Sequence, residues 1–412
     1  MKNLLKLFLP LLGLVLTVQA AAQTGFGCSF NVTTGEWENV SGGPCVNTII
    51  TAVPFLRIVP DARSGAMGDA GIAISPDANA MHFNASKLAF VEEDVAVSVT
   101  YTPWLRALGL QDVYMAYLSG FKQIDSRQTV GFSLRYFSLG SISFTDESGQ
   151  PLGTGRPNEF EISAAYARQL SEKFSVAIAP KFIYSNLAAG QTVGNVEITP
   201  GIAAAADFSL TYKTPLNFTA NKSDLTLGAA ISNLGTKISY TNSINKDFIP
   251  ANLGLGAAWS INFDEFNELT ITTDINKLLV PTPCLAQNPE DCDADGNMVP
   301  DYKEDSAFGG AISSFGDAPG GFSEELRELM LSIGVEYWYD KQFAVRAGYY
   351  TEHGTKGNRK FFTVGLGLKY NVFGLNFSYL VPTTNQRNPL DNTLRFSLLF
   401  DFGAFGQDGI EE

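Results

Sequence analysis

Few side chains in this sequence could do chemistry. Its 412 residues hold two histidines, His82 and His353. Serine-type hydrolysis needs a histidine beside a hydroxyl nucleophile and an orienting carboxylate. His82 has Asn84 and Ser86 nearby, and His353 follows Glu352. Acyl hydrolysis is the one catalytic reading these residues offer, and an ordinary loop or plug histidine is the simpler one. A non-enzymatic protein is therefore expected. The sharpest motif is Asp291-Cys-Asp-Ala-Asp-Gly-Asn-Met-Val-Pro-Asp301. Aspartates at alternating positions before a glycine form the first half of a calcium loop. Gly296 permits the sharp turn on which Asp291, Asp293 and Asp295 converge. The backbone carbonyl of Asn297 would add a ligand, and Asp301 or Glu304 would replace the bidentate glutamate expected where Tyr302 stands. The alternative is a solvated acidic loop. Structural Ca2+ in the 278–329 loop is the only cofactor the sequence suggests.

The four cysteines fall into two local groups, Cys28 with Cys45 and Cys284 with Cys292. Three pairings are possible, and the local one is the economical choice for an exported chain. Export is read from the first residues. Lys2 and Lys6 precede an apolar run from Leu4 to Val18, and small residues follow at Ala20 to Ala22. Residues 1–22 are a signal peptide by this pattern.

The elements that must position these groups are strands. Phe362, Val364, Leu366, Leu368 and Tyr370 alternate with Thr363, Gly365, Gly367 and Lys369. Leu394, Phe396, Leu398 and Phe400 alternate with Arg395, Ser397 and Asp401. This is period two, with one large apolar face and one small or polar face. A second sheet would cover the apolar face in a soluble sandwich. Lipid covers it in an outer-membrane barrel. Length favours lipid, since the runs reach about nine to twelve residues against about five or six in soluble sheets. Aromatics near the strand ends, among them Tyr101, Tyr136, Tyr184, Trp259, Tyr349 and Tyr379, suit an interfacial girdle.

Fourteen candidate strands start near Asp94, Gln111, Arg127, Asn158, Lys173, Ile198, Ser223, Pro250, Asn267, Met330, Gln342, Arg359, Val372 and Thr393. Long and short connections alternate, as expected for extracellular loops and periplasmic turns. The predicted fold is all-β: a 14-stranded transmembrane antiparallel β-barrel over 94–402, with a long extracellular loop at 278–329. A compact small-residue segment within 23–93 forms an N-terminal hatch or plug, and 403–412 is a periplasmic tail. In the long loop, Ser323 caps a short helix whose Leu326, Leu329 and Met330 form an apolar stripe. The stripe either packs on the barrel rim or docks a partner. A net charge of −14 with 17% charged residues excludes nucleic acid as a partner.

The stretch Arg63-Ser-Gly-Ala-Met-Gly-Asp-Ala-Gly-Ile-Ala73 followed by Asn84-Ala-Ser-Lys-Leu-Ala89 resembles the N-terminal hatch of the FadL-like outer-membrane family. The hatch motif residues are Arg63, Gly65, Met67, Gly68, Asp69, Gly71 and Asn84. Ala85 and Ser86 replace the family's Pro-Ala. The longer run from Phe55 to Gly71 is similar to the PorV (LptO) branch. That resemblance implies an integral outer-membrane protein of type IX secretion. It implies binding of the C-terminal signal domains of secreted cargo at the translocation channel. It also implies delivery to a cell-surface attachment complex containing a sortase. The rival reading is a FadL-like transporter of hydrophobic small molecules, which would need a continuous apolar pocket between hatch and wall.

Overall fold

The computed structural model describes residues 28–402, apart from 33, 35, 40, 107–108, 146–147, 149, 189, 194–195, 217–221, 242–245, 286–291, 298 and 384–392. The signal-peptide residues and the C-terminal tail lie outside the described residues. Twenty strands follow in chain order. β1 (Cys28–Asn31) and β2 (Glu36–Asn39) form a hairpin. β3 (Val95–Pro103), β4 (Val113–Asp125) and β5 (Gln128–Leu139) begin the wall. β6 (Ile142–Thr145) and β7 (Pro151–Gly155) form a loop hairpin. The wall resumes with β8 (Asn158–Ser171) and β9 (Phe174–Asn186). β10 (Thr192–Val193) and β11 (Val196–Glu197) pair in the next loop. β12 (Gly201–Leu216), β13 (Lys222–Gly235), β14 (Asn252–Asn262), β15 (Asn267–Leu278), β16 (Met330–Tyr339) and β17 (Phe343–Thr351) continue the wall. β18 (Lys360–Tyr370), β19 (Phe373–Pro382) and β20 (Leu394–Asp401) finish it.

Among the described residues, fourteen of these strands close an antiparallel barrel, with β20 pairing back onto β3. Closure removes the edges that an open sheet would expose to lipid. The alternation along each strand becomes an inside and an outside. Val364, Leu366 and Leu368 are about half exposed on the outer face, whereas Thr363 and Ser378 are buried within. The short turns share one end. At one of them Asp340 and Lys341 both take φ 50°, the left-handed geometry that matches the twist of paired strands. The long connections share the other end, which is the outer end by the same barrel rule.

The segment preceding β3 fills the lumen. It carries a 3-10 turn at Pro54–Arg57, then α1 (Ala62–Gly65), α2 (Ala80–Phe83) and a 3-10 stretch at Ala85–Phe90. Residues 28–50 stay at the outer mouth instead. Cys28–Cys45 closes the β1–β2 hairpin. Asn47 then ties the chain to the outer loops, donating from Nδ2 to the carbonyl of Pro283 (3.0 Å) and from its backbone N–H to that of Thr355 (2.9 Å).

Among the described residues of the long connection, two α-helices occur, α3 (Ala307–Ser313) and α4 (Phe322–Arg327). α4 starts after Gly321, whose φ of 64° sets the entry, so Ser323 lies inside the helix and not at its cap. The helix also ends before Met330. That residue opens β16, pairs with Asn276 and turns inward, where its sulfur meets Arg57. The stripe is therefore Phe322, Leu326 and Leu329, with Met330 withdrawn from it by the β-ladder.

Candidate functional site

The lumen is filled in three layers, and the hatch motif builds the middle one. At the outer mouth Val53, Phe55 and Leu56 join Trp104, Phe137, Ile183, Ile238 and Phe361 in a buried apolar cluster. At the inner end Met81, Leu88 and Ala89 pack on Phe121, Ala165, Ala167, Ala177 and Ala179. Each large side chain so buried is worth about 1.5–3 kcal/mol. Between them lies an ionic layer. Arg63 grips Glu336 of β16 with two bonds, Nε to Oε2 at 2.9 Å and Nη2 to Oε1 at 2.7 Å, and pairs with Asp77 at 3.2 Å. Arg346 of β17 donates to the same Glu336 at 2.6 Å and to Asn376 at 2.8 Å. A forked guanidinium on a carboxylate fixes orientation as well as distance.

The other motif residues serve the same seat. Asp61 caps α1 by accepting from the Ser64 N–H at 2.8 Å. Met67 is fully buried. Its backbone lies directly on Gly334 and Gly348 of the wall, where any side chain would collide. Gly68 has φ 66°, and a Cβ there would lie 2.6 Å from the Tyr349 carbonyl oxygen, so only glycine fits. Gly65 lies under the Arg395 guanidinium, and Asp69 pairs with that guanidinium at 3.6 Å. The N–H groups of Gly71 and Ile72 donate to Asp274 of β15 at 2.7 and 2.9 Å. Asn84 donates to the Ile72 carbonyl at 3.0 Å and to Thr211 at 2.9 Å, and accepts from Ser86. The small inner face of the wall thus exists to admit hatch backbone.

A second charged group runs beside the hatch. Lys181 pairs with Asp207 (2.7 Å) and Glu161 (3.5 Å), and Arg135 reaches Glu161 (3.6 Å). Arg135 also donates to the carbonyls of Phe55 and Leu56 and to Nδ1 of His82 at 2.6 Å. Arginine only donates, so His82 Nδ1 is an acceptor there. His353 Nδ1 likewise accepts from the Thr355 backbone N–H. Both histidines are thus held by hydrogen bonds to neighbouring residues. Sequence reasoning did not single out Arg135, Glu161, Lys181, Glu336 or Arg346, whose signal is a charge on the inward face of a strand.

A cavity of about 110 Å³ remains between hatch and outer mouth. Its lining is mixed. Leu56, Ile72 and Met330 share it with Arg57, Asp69, His82, Asn233, Asp274 and Arg359.

The outer cap is built on charge as well. Lys277 donates to Glu325 at 2.8 Å and to Glu328 at 2.5 Å. Lys356 donates to Glu324 and to Glu328, the latter at 2.9 Å. Asn47 adds a bond to Glu324 at 3.0 Å and Thr282 one to Glu328 at 2.6 Å. All three α4-region glutamates are spent inward. The opposite face leaves Phe322 78% and Leu326 53% exposed, with Leu329 beside them at 37%.

Further out, Cys284–Cys292 is closed. Carboxylate oxygens of Asp293, Asp295 and Asp301 lie within 4.8 Å of one another, a spacing that suits oxygen ligands about 2.3–2.6 Å from one calcium ion. Gly296 takes φ 74°. Asn297 donates its backbone N–H to Asp293 and Asp295, both at 3.1 Å. Asp291 lies outside the described residues.

Fold and site define a plugged fourteen-stranded outer-membrane barrel with a structured outer cap. Residues 44–285, more than half of the chain, match the family model described as Type IX secretion system protein PorV. The chain belongs to that family, and its place is the outer membrane in type IX secretion. Among solved structures, the toluene transporter TodX of P. putida is 12% identical with a TM-score of 0.49, covering 83% of this chain and 98% of that one. A FadL homologue of Pseudomonas aeruginosa is 11% identical with a TM-score of 0.42, covering 87% and 100%. The toluene transporter TbuX of Ralstonia pickettii is 12% identical with a TM-score of 0.44, covering 82% and 97%. No curated protein matches the chain.

Proposed function

We propose that this protein is a non-enzymatic cargo receptor and shuttle of type IX secretion. It binds the C-terminal signal domains of exported proteins at the translocation channel and hands them to the sortase-containing attachment complex. The filled lumen carries this reading. A barrel whose interior is occupied by two apolar layers and an ionic one has its outer cap and wall left for partners. Phe322, Leu326 and Leu329 on α4 offer a binding face on a rigid scaffold. A conduit for hydrophobic solutes is less well served, since the cavity between hatch and mouth mixes Leu56, Ile72 and Met330 with guanidinium, carboxylate and amide groups and offers no continuous apolar path.

The test is capture from detergent-solubilised outer membrane. Wild type should bring down the channel and cargo C-terminal domains. Leu326→Asp combined with Leu329→Asp should lose most of both while the barrel stays folded. Undiminished capture by the double variant would reject α4 as the docking face. Within the cap, Asp293, Asp295 and Asp301 would hold a structural calcium ion, stiffening the loop beside that face.

A further inference from the structure

The long outer connection does not rise clear of the barrel. α3 folds back against the outside of the wall. Its Ala311 is buried with Ala251 and Leu279, and Ile231, Leu234 and Leu253 pack against that cluster. These wall residues point outward. Ile231 pairs with the exposed Phe208 and with Leu253, whereas neighbours of opposite parity, Gly228 and Gly254, face Ile72 of the hatch. At the rim, Gly310 sits over Pro281 and over Phe248 of the mouth cluster, and Ser314 is fully buried. One face of α3 therefore occupies positions that acyl chains take elsewhere on the barrel.

The other face is apolar too. Phe308 and Ile312 on the helix, and Phe315 in the turn that follows it, are 65%, 62% and 54% exposed. Phe362 and Leu368 on the lipid-facing wall are 54% and 53% exposed. Polar groups flank one edge of the helix. Ser306 caps it through the Gly309 N–H, Ser313 donates to Asp305 at 3.0 Å, and Lys303 pairs with Asp247 at 2.9 Å. Lys237 donates to the carbonyls of Lys303 and Asp305. The helix carries no charge of its own, and an apolar face flanked by charged groups of neighbouring segments suits a position at a membrane interface.

We propose that α3 is an in-plane membrane foot, with Phe308, Ile312 and Phe315 inserted among acyl chains of the outer leaflet and the Asp305–Ser313 edge at the headgroups. The occupant follows from continuity. The helix covers part of the lipid-facing wall and replaces it with an apolar surface of its own. The foot fixes the height of the cap above the bilayer. It does not depend on which partner the cap serves.

The test uses the full chain in lipid nanodiscs with no partner protein. Nitroxide labels are placed at Phe308→Cys and, separately, Ile312→Cys. Leu366→Cys on the wall and Asp295→Cys in the acidic loop serve as references, and the native cysteines stay in their disulfides. Collisions with oxygen should exceed those with a water-soluble nickel complex at 308 and 312, as at 366 and opposite to 295. Nickel-dominated collisions at both helix positions would overturn the proposal. Hydroxyl-radical footprinting of the unlabelled protein keeps it testable if a cysteine variant misfolds. Phe308 and Phe315 should be as protected as Phe362, and heavy oxidation of both, or protection only after a partner protein is added, would also overturn it.

Discussion

Glu336 and Glu328 are both buried, and each lies between two cations, yet they hold very different regions. In the lumen Glu336 receives the forks of Arg63 and Arg346. On the cap Glu328 receives the ammonium groups of Lys277 and Lys356. A guanidinium fork dictates geometry, whereas an ammonium is a point charge on a flexible stem. Shape reinforces charge in the lumen, because Met67 and Gly68 sit hard against Gly334, Gly348 and Tyr349. On the cap nothing packs over Phe322 and Leu326 among the described residues. The hatch is fixed from every side. The cap is fixed from one side only, and its other side remains available.

That contrast can be broken most severely at Glu336. Glu336→Ala leaves two guanidinium groups in a filled lumen without their carboxylate, which costs about 3–5 kcal/mol. Denaturant unfolding in detergent should show this loss across the whole barrel. Glu328→Gln should act locally. Two lysines lose their shared partner, at about 1–3 kcal/mol, and limited proteolysis should nick 279–329 while the barrel keeps its heat-resistant migration. A global loss equal to that of Glu336→Ala would erase the distinction drawn here.

Calcium sharpens the description of the cap. Added calcium should slow proteolysis of the 293–305 segment, chelation should speed it, and Asp293→Asn with Asp295→Asn should abolish the difference. The smallest effect concerns pH. Burial pushes the Asp317 carboxyl up to about 6, with the Thr282 N–H offsetting only part of the rise. A raised folded value means that the cap gains stability as pH falls through about 6 towards the ordinary carboxylate range. Burial also pushes the Glu324 carboxyl up, but the Lys356 ammonium and the Asn47 amide outweigh it and hold it below its ordinary value. That contribution is present above the unfolded glutamate value of about 4.3 and is lost as pH falls through the depressed folded value. Proteolytic protection of the cap should therefore rise slightly from pH 7 to 5 and fall below about pH 4, and Asp317→Asn should remove the rise alone.

The wall was legible because lipid on one side and hatch on the other impose period two on every strand. The expected starts at Asn158, Asn267 and Met330 coincide with those of β8, β15 and β16. Both local disulfides were readable because their cysteines are close in sequence. The hatch was legible as a motif and not as a mechanism. Arg63 finds Glu336 across 273 residues, and no local pattern encodes such a pairing. The cap was hardest. The stripe expected at Leu326, Leu329 and Met330 ends at Leu329, because the β15–β16 ladder claims Met330. α3, with seven residues and two internal glycines, carries little helix propensity, and only the wall behind it gives its packing meaning.

The most direct test of a protein that works outside a filled lumen is to lock the hatch and ask whether it still works. Ser86 Oγ in the hatch lies 2.7 Å from Thr211 Oγ1 on β12, so Ser86→Cys with Thr211→Cys can bridge plug and wall. Co-purification of the translocation channel and cargo C-terminal domains should be as strong for the oxidised double variant as for wild type. Capture lost in the bridged form and restored by reductant, with both single variants unaffected, would show that the hatch must move and would contradict this account.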